Sequence, residues 1–234
     1  MSGSNSIVSI VTGAGSGIGK AIVERLAKRG PVVLAGRRPN PLRNVAIPLG
    51  TEGEDWIAVP TDIAKSEDRY RLVDETLRVF GKIDVLINNA AIGTCGSITT
   101  LGEPEIEQLI DVNLTAPILL SRLALPHLEK TNGCIVSIGS RAAIDPFPGL
   151  GTYGCTKAGL EGLARAVCNE YPSVRAFTVH PGAVETEMLR SIVSADDLPS
   201  DQVLVPDDIA IAVEGFVTGA RSETSGSSVV VAKD

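Results

Sequence analysis

Ser6-Ile-Val-Ser-Ile-Val11 is followed at once by Thr12-Gly-Ala-Gly-Ser-Gly-Ile-Gly19. The first six residues are mostly aliphatic and read as a buried strand. The glycine-rich turn then opens a helix with Ile18, Ala21, Ile22 and Leu26 along one face, ended by Gly30 and Pro31. Without a Cβ, Gly13, Gly17 and Gly19 allow a tight turn and close approach of the backbone to a pyrophosphate. The helix N-terminus beyond adds unpaired N–H groups and positive potential. Such glycines could also serve only tight helix–strand packing. The strand before and the amphipathic helix after favour a dinucleotide site.

Working outward, the pattern repeats. Strands are predicted at Pro31–Ala35, Trp56–Pro60, Val85–Asn88, Cys134–Ile138, Ala176–Val179 and Ser228–Ala232. Continuously apolar strands, rather than alternating ones, suit a sheet covered on both faces. Between them, Ser66 is expected to cap a helix whose inward face is Tyr70, Val73, Leu77 and Phe80, with Gly81 ending it. The β-α-β alternation predicts an α/β fold in one domain over residues 1–234. It is a Rossmann-type, doubly wound parallel sheet of about seven strands with helices on both faces and a ligand crevice at the strands' carboxyl ends.

Composition narrows the function. The chain has 234 residues, 44% hydrophobic, a mean hydropathy of +0.19, a net charge of −7 and a pI near 5.0. An acidic chain with no Lys/Arg cluster argues against nucleic acid. Apolar runs such as Pro117–Leu120 are broken by Ser121 and Arg122, so no membrane span is expected. Ser2 to Ser6 are small and polar, unlike a secretory signal. Cys95, Cys134, Cys155 and Cys168 form no CxxC pair, and His127 and His180 complete no metal set. Four reduced, mostly packed thiols in a cytoplasmic protein are expected.

The end of the second strand bears on the nucleotide. An acid at this place would accept from a ribose 2′-OH, but here the chain runs Gly36-Arg37-Arg38. Guanidinium forks suit a 2′-phosphate, which favours NADP(H) over NAD(H); a solvated pair of loop arginines is the alternative. Asp62, after the third strand, could accept from the adenine amino group or start the next helix. Tyr153 and Lys157 stand four residues apart in a helical run. An ammonium one turn from a phenol favours the phenolate and is expected to lower the phenol pKa from about 10.

Several motifs in order resemble the short-chain dehydrogenase/reductase family across almost the whole chain. They are Thr12-Gly-x-x-x-Gly-Ile-Gly19, Asn88-Asn-Ala90, Asn113, Ser140, Tyr153-x-x-x-Lys157, and Pro181-Gly182 with Thr186. The resemblance implies an NADP(H)-dependent oxidoreductase, a carbonyl reductase or alcohol dehydrogenase acting on a small ketone, aldehyde or secondary alcohol. It implies a catalytic set of Asn113, Ser140, Tyr153 and Lys157. Tyr153 would be the general acid/base, Ser140 would hold the substrate oxygen, and Lys157 would also hold the nicotinamide ribose. Pro117 lacks an N–H and crowds the carbonyl of Asn113, which in the family binds a relay water. Cofactor contacts are implied at Gly13, Ser16, Gly17, Ile18, Gly19, Arg37, Arg38, Asp62, Asn89, Ala90, Tyr153, Lys157, Pro181, Gly182, Val184 and Thr186. Asn88 would help shape the floor of that pocket. A homo-tetramer or homo-dimer is implied, built on helices Glu105–Leu128 and Thr152–Glu170.

The chain departs from the family pattern in places. Ala91 replaces the usual glycine and requires a negative φ. Arg141 follows Ser140 and could bias the site to an anionic substrate or point outward, while His180 could face the pocket or pack. The substrate loop 187–205 is short, and the sequence ends at Asp234, so an open mouth is expected. Ser191, Ser194, Asp196 and Asp197 read as a mobile polar loop, with Met188, Leu189 and Ile192 facing the pocket. A catalytically inactive NADP(H)-binding sensor or scaffold is the competing reading, opposed by the intact Asn, Ser, Tyr and Lys set. An extended-family epimerase or dehydratase would need a larger C-terminal domain.

Overall fold

Each strand places alternate side chains on opposite faces, and here both sets are apolar. Ile10, Val33, Leu86 and Ile135 enter one core, while Val11, Leu34, Ile87 and Val136 enter the other. The computed structural model describes residues 6–145 and 147–233; the polar stretch 2–5 and Asp234 discussed above lie outside the described residues. The strands are β1 (Ser9–Thr12), β2 (Val32–Gly36), β3 (Trp56–Pro60), β4 (Val85–Asn88), β5 (Cys134–Ile138), β6 (Arg175–Pro181) and β7 (Ser228–Val231). They pair in parallel in the order β3-β2-β1-β4-β5-β6-β7. The strand order reverses between β1 and β4, the switch point at which such sheets open a crevice.

Helices α1 (Gly17–Leu26), α2 (Pro39–Ala46) and α8 (Pro206–Thr218) cover one face. Helices α3 (Ser66–Phe80), α5 (Ala116–Thr131) and α6 (Gly151–Glu170) cover the other. Helix α4 (Glu103–Ile110) runs on through a π turn, Asp111–Thr115, into α5. Together they form one 29-residue helix, long and apolar enough by composition to cross a membrane. Ser121 and Arg122 interrupt its apolar run as expected. The buried Leu120, Ala124 and Leu128 face the sheet core, as in a core helix.

The face of α3 differs in part from expectation. Val73 is buried and Leu77 and Phe80 pack against the core as expected, but Tyr70 is exposed, and Arg69, Leu72 and Thr76 are buried beside Val73. An arginine hides the true period: Arg69 buries its stem and donates through Nη1 to the Ile63 carbonyl at 2.5 Å. Lys65, not Ser66, occupies the N-cap, while Gly81 ends the helix with φ +73°. The four thiols are free, but Cys95 and Cys155 are exposed rather than packed. Burial pushes the Cys134 thiol up to about 12.

Candidate active site

The crevice at the switch point is a cavity of about 1150 Å³ lined by the turns that leave the carboxyl ends of β1 to β6. Its floor begins at the glycine turn. Gly13 and Gly17 have φ of +65° and +51°, conformations that side chains oppose. A Cβ on Gly19 would lie 2.2 Å from the Gly13 carbonyl oxygen, so the turn closes on itself only with glycine. Thr12 straps this turn to β4: its Oγ1 donates to the Ile87 carbonyl at 3.0 Å and accepts from the N–H groups of Asn89 (2.9 Å) and Ala90 (3.0 Å). Asn89 returns the bond, donating through Nδ2 to the Thr12 carbonyl at 2.8 Å. Ser16 is the α1 N-cap and makes no side-chain cap, and the first turn holds no acid. Positive potential and open N–H groups therefore border the cavity, as an anion requires.

Arg37 and Arg38 are exposed, line the cavity beside Gly36, and are tied to no carboxylate among the described residues. Asp62 lines it too, with Oδ1 accepting from the Ala64 N–H at 3.1 Å. Its own N–H is held by Asp68 at 2.7 Å, so the residue also serves the helix start.

Ser140, Tyr153 and Lys157 meet deeper in the same cavity. Ser140 caps a short 3-10 turn, its Oγ accepting from the Ala142 N–H at 3.1 Å. Helix α6 lies so close that a Cβ on Gly154 would sit 2.3 Å from the Ala142 carbonyl oxygen. That contact brings Tyr153 against the serine turn. Lys157 is 2% exposed, and its Nζ donates to the Ile138 carbonyl at 2.8 Å. Burial lowers the Lys157 amine to about 8. Tyr153 keeps part of its ring open to the cavity, yet crowding pushes its phenol up to about 12, with the Ser140 hydroxyl pulling it partly back. This reverses the expected depression of the phenol pKa. The Lys157 ammonium sits 5.7 Å from the ring centroid and turns to Ile138, so desolvation outweighs its field.

Asn113 sits fully buried in the π turn, where the Ala116 N–H bonds back five residues to Asp111. The helix meets Pro117 by widening its register, a local answer to a missing N–H. The Asn113 side chain brackets Ile92, with Oδ1 accepting from its N–H and Nδ2 donating to its carbonyl, both at 2.9 Å. It thereby fixes the chain that follows β4 beside the cavity. Asn88 points the other way, donating to Ser121 Oγ at 3.1 Å inside the core, and does not shape the pocket floor. Pro181, Gly182, Val184 and Thr186 line the cavity after β6. Thr186 caps α7 (Glu187–Ile192), and its Cγ2 would lie 3.1 Å from a Cβ on Gly17.

A family model described as short chain dehydrogenase matches residues 7–197. Dehydrogenase/reductase SDR family member 4 of Oryctolagus cuniculus is 30% identical over 240 aligned positions, covering 96% of this chain and 92% of that protein. The chain belongs to the short-chain dehydrogenase/reductase family. Two solved structures agree with this. The 3-ketoacyl-(acyl-carrier-protein) reductase of Brucella melitensis, complexed with NADH, superposes with a TM-score of 0.90 at 30% identity and 97% coverage of both chains. An alcohol dehydrogenase from Thermococcus sibiricus, complexed with 5-hydroxy-NADP, does so with 0.86 at 29% identity, covering 96% and 95%.

In this short-chain dehydrogenase/reductase the segment after β6 is tied down more than its polar sequence suggested. Arg190 grips the Glu185 carboxylate through Nε at 2.7 Å and Nη2 at 2.5 Å, and reaches the Leu198 carbonyl at 2.8 Å. That guanidinium, with Ser200 behind it, holds the Glu185 carboxyl down at about 2. Met188, Leu189 and Ile192 do line the cavity, as expected. Arg141 is exposed and paired to Asp145 at 2.6 Å, which neutralises it at the mouth. Ala91 keeps a negative φ, and His180 packs with no exposed surface. Sequence reasoning gave no role to Thr12, Ile92, Glu161 or Arg190. Only Thr12 left a signal, a hydroxyl at the last position of β1.

Proposed function

We propose that this enzyme reduces a small carbonyl compound with NADPH, Tyr153 giving its proton to the substrate oxygen. The observation that supports this most is the convergence of Ser140, Tyr153 and Lys157 on the cavity that the glycine turn opens. The residues fit a dinucleotide: a tight turn that closes only with glycine, an acid-free helix N-terminus, and Arg37 and Arg38 free to fork a phosphate. A bound nicotinamide supplies the hydride. The chain's own groups do the rest. Tyr153 is a phenol at neutral pH, the form that donates. Ser140 Oγ hydrogen-bonds the substrate oxygen as charge develops there. Lys157, buried with its amine lowered to about 8, supplies positive charge beside the phenol and would hold a ribose hydroxyl of the cofactor. Glycine at 36, in place of an acid, supports NADPH over NADH.

Phe147, Leu150, Met188 and Ile192 give the outer cavity an apolar wall, suited to a compact or flat ketone or aldehyde. Mixing the enzyme with NADPH and a carbonyl series of rising chain length, while following nicotinamide absorbance, tests the reading. Turnover should favour the compact members. A steady gain in kcat/KM through long acyl chains or acyl thioesters would contradict the substrate class, and no turnover of any carbonyl would contradict the reaction.

A further inference from the structure

His180 is a fully buried imidazole that the proposed chemistry leaves unused, and it lies against the residue that chemistry needs most. Its Nδ1 is 3.2 Å from the Ser140 nitrogen and 2.9 Å from the Ser140 carbonyl oxygen. A Cβ on Gly139 would lie 2.5 Å from Nδ1, so glycine there admits the ring. The serine turn is thus tied at three successive residues. Lys157 holds the Ile138 carbonyl at 2.8 Å, the Val179 carbonyl holds the Gly139 N–H at 2.7 Å, and His180 holds Ser140.

On the far side of the ring, Nε2 is 3.1 Å from Glu161 Oε1. The pair makes no aligned hydrogen bond, and Nε2 has no other partner among the described residues. The second Glu161 oxygen meets Arg165 at 3.3 Å. In one neutral tautomer Nδ1 accepts from the Ser140 N–H, and in the other it donates to the Ser140 carbonyl, so either form ties the serine backbone. Glu161 stands one helical turn after Lys157 on α6. The helix bearing Tyr153 and Lys157 therefore also sets the group that fixes Ser140.

Resting on the reading of Ser140 as the holder of the substrate oxygen, we propose that His180, oriented by Glu161, is a positioning residue for Ser140. It locks the serine backbone so that Oγ meets the reacting oxygen together with Tyr153. Small displacements of a positioned group cost rate steeply, about 100-fold for an ångström. The test compares His180→Leu, His180→Asn and His180→Gln with Ser140→Ala and the double variant Ser140→Ala/His180→Leu. Asparagine returns a polar atom near the Nδ1 position, whereas glutamine places it near Nε2.

His180→Leu should lower kcat by about 10-fold or more with the NADPH dissociation constant changed less than about twofold, and His180→Asn should restore most of the loss. In the Ser140→Ala background, His180→Leu should add less than about twofold, because its effect runs through the serine. Overturning results are a His180→Leu enzyme within about twofold of the parent, or an equal loss in both backgrounds, which marks plain packing. If His180→Leu does not fold, His180→Gln must be about 10-fold slower than His180→Asn, and equal rates overturn the proposal. A fully active Ser140→Ala would instead remove the reading of Ser140 itself. An inactive Ser140→Ala beside an active His180→Leu would remove only the role of His180.

Discussion

Lys157→Met should make this protein more stable at neutral pH while abolishing its turnover. Lys157 is 2% exposed, and burial lowers its amine from 10.5 to about 8. Below pH 8 the ammonium is charged in both folded and unfolded chains, so the folded state bears the full desolvation cost. At about 1.4 kcal/mol per pH unit, the gap from 10.5 to about 8 corresponds to roughly 3 kcal/mol. Methionine of similar length removes that cost but leaves the Ile138 carbonyl without its 2.8 Å donor, a loss of about 1–3 kcal/mol. The variant should gain up to about 2 kcal/mol, or up to about 4–8 °C in Tm for a chain of this size. As pH rises from 8 to 10.5 the folded amine becomes neutral while the unfolded one is still charged. The wild-type protein recovers stability over that window, and the advantage of the variant should fade. Tyr153 is present in both proteins, so its own titration cancels in the difference. Thermal melts of both proteins at pH 7 and pH 10 make the comparison. A variant that melts below wild type at pH 7, or a gap that is the same at both pH values, would refute the reasoning.

Two further outcomes follow from the site. NADPH should be preferred over NADH by about 10-fold or more in kcat/KM, and Gly36→Asp with Arg37→Ser should reverse the preference; equal values in the unmodified enzyme would remove the phosphate role of Arg37. For carbonyl reduction, kcat/KM should fall as pH rises through about 8, where Lys157 loses its charge, while Tyr153 stays protonated to about 12. A pH–rate profile that is flat to pH 10 would contradict this order of titration.

Strands β1 to β6 were legible because each feeds two apolar cores at once, whereas the edge strand β7 packs on one core and leaves Val230 exposed. Trp56–Pro60, Val85–Asn88 and Cys134–Ile138 fall where the apolar runs begin and end. β6 was read short because Arg175, His180 and Pro181 do not look like strand, although Arg175 donates to the Phe216 carbonyl and His180 is buried. The cavity residues were legible as motif letters, since a glycine turn and a Tyr–Lys helix face are local patterns. Their environments were not. The Tyr153 phenol rises because of packing that only the folded chain has. Pro117 did announce an irregular helix, but nothing local said that it would appear as a π turn with Asn113 bracketing Ile92. His180 is 40 residues from Ser140 and 19 from Glu161, and Arg190 gathers partners across a loop of mixed polarity. Such contacts arise from the fold, not from spacing.

The proposed reaction turns on Tyr153 giving its proton to the carbonyl oxygen. Single-turnover reduction by Tyr153→Phe, with NADPH bound beforehand and its affinity measured by nicotinamide fluorescence, tests it most directly. The NADPH dissociation constant should stay within about threefold of wild type and the rate should fall by a factor on the order of 10²–10⁴, the usual contribution of a positioned acid. A Tyr153→Phe rate within about threefold of wild type at unchanged affinity would contradict it.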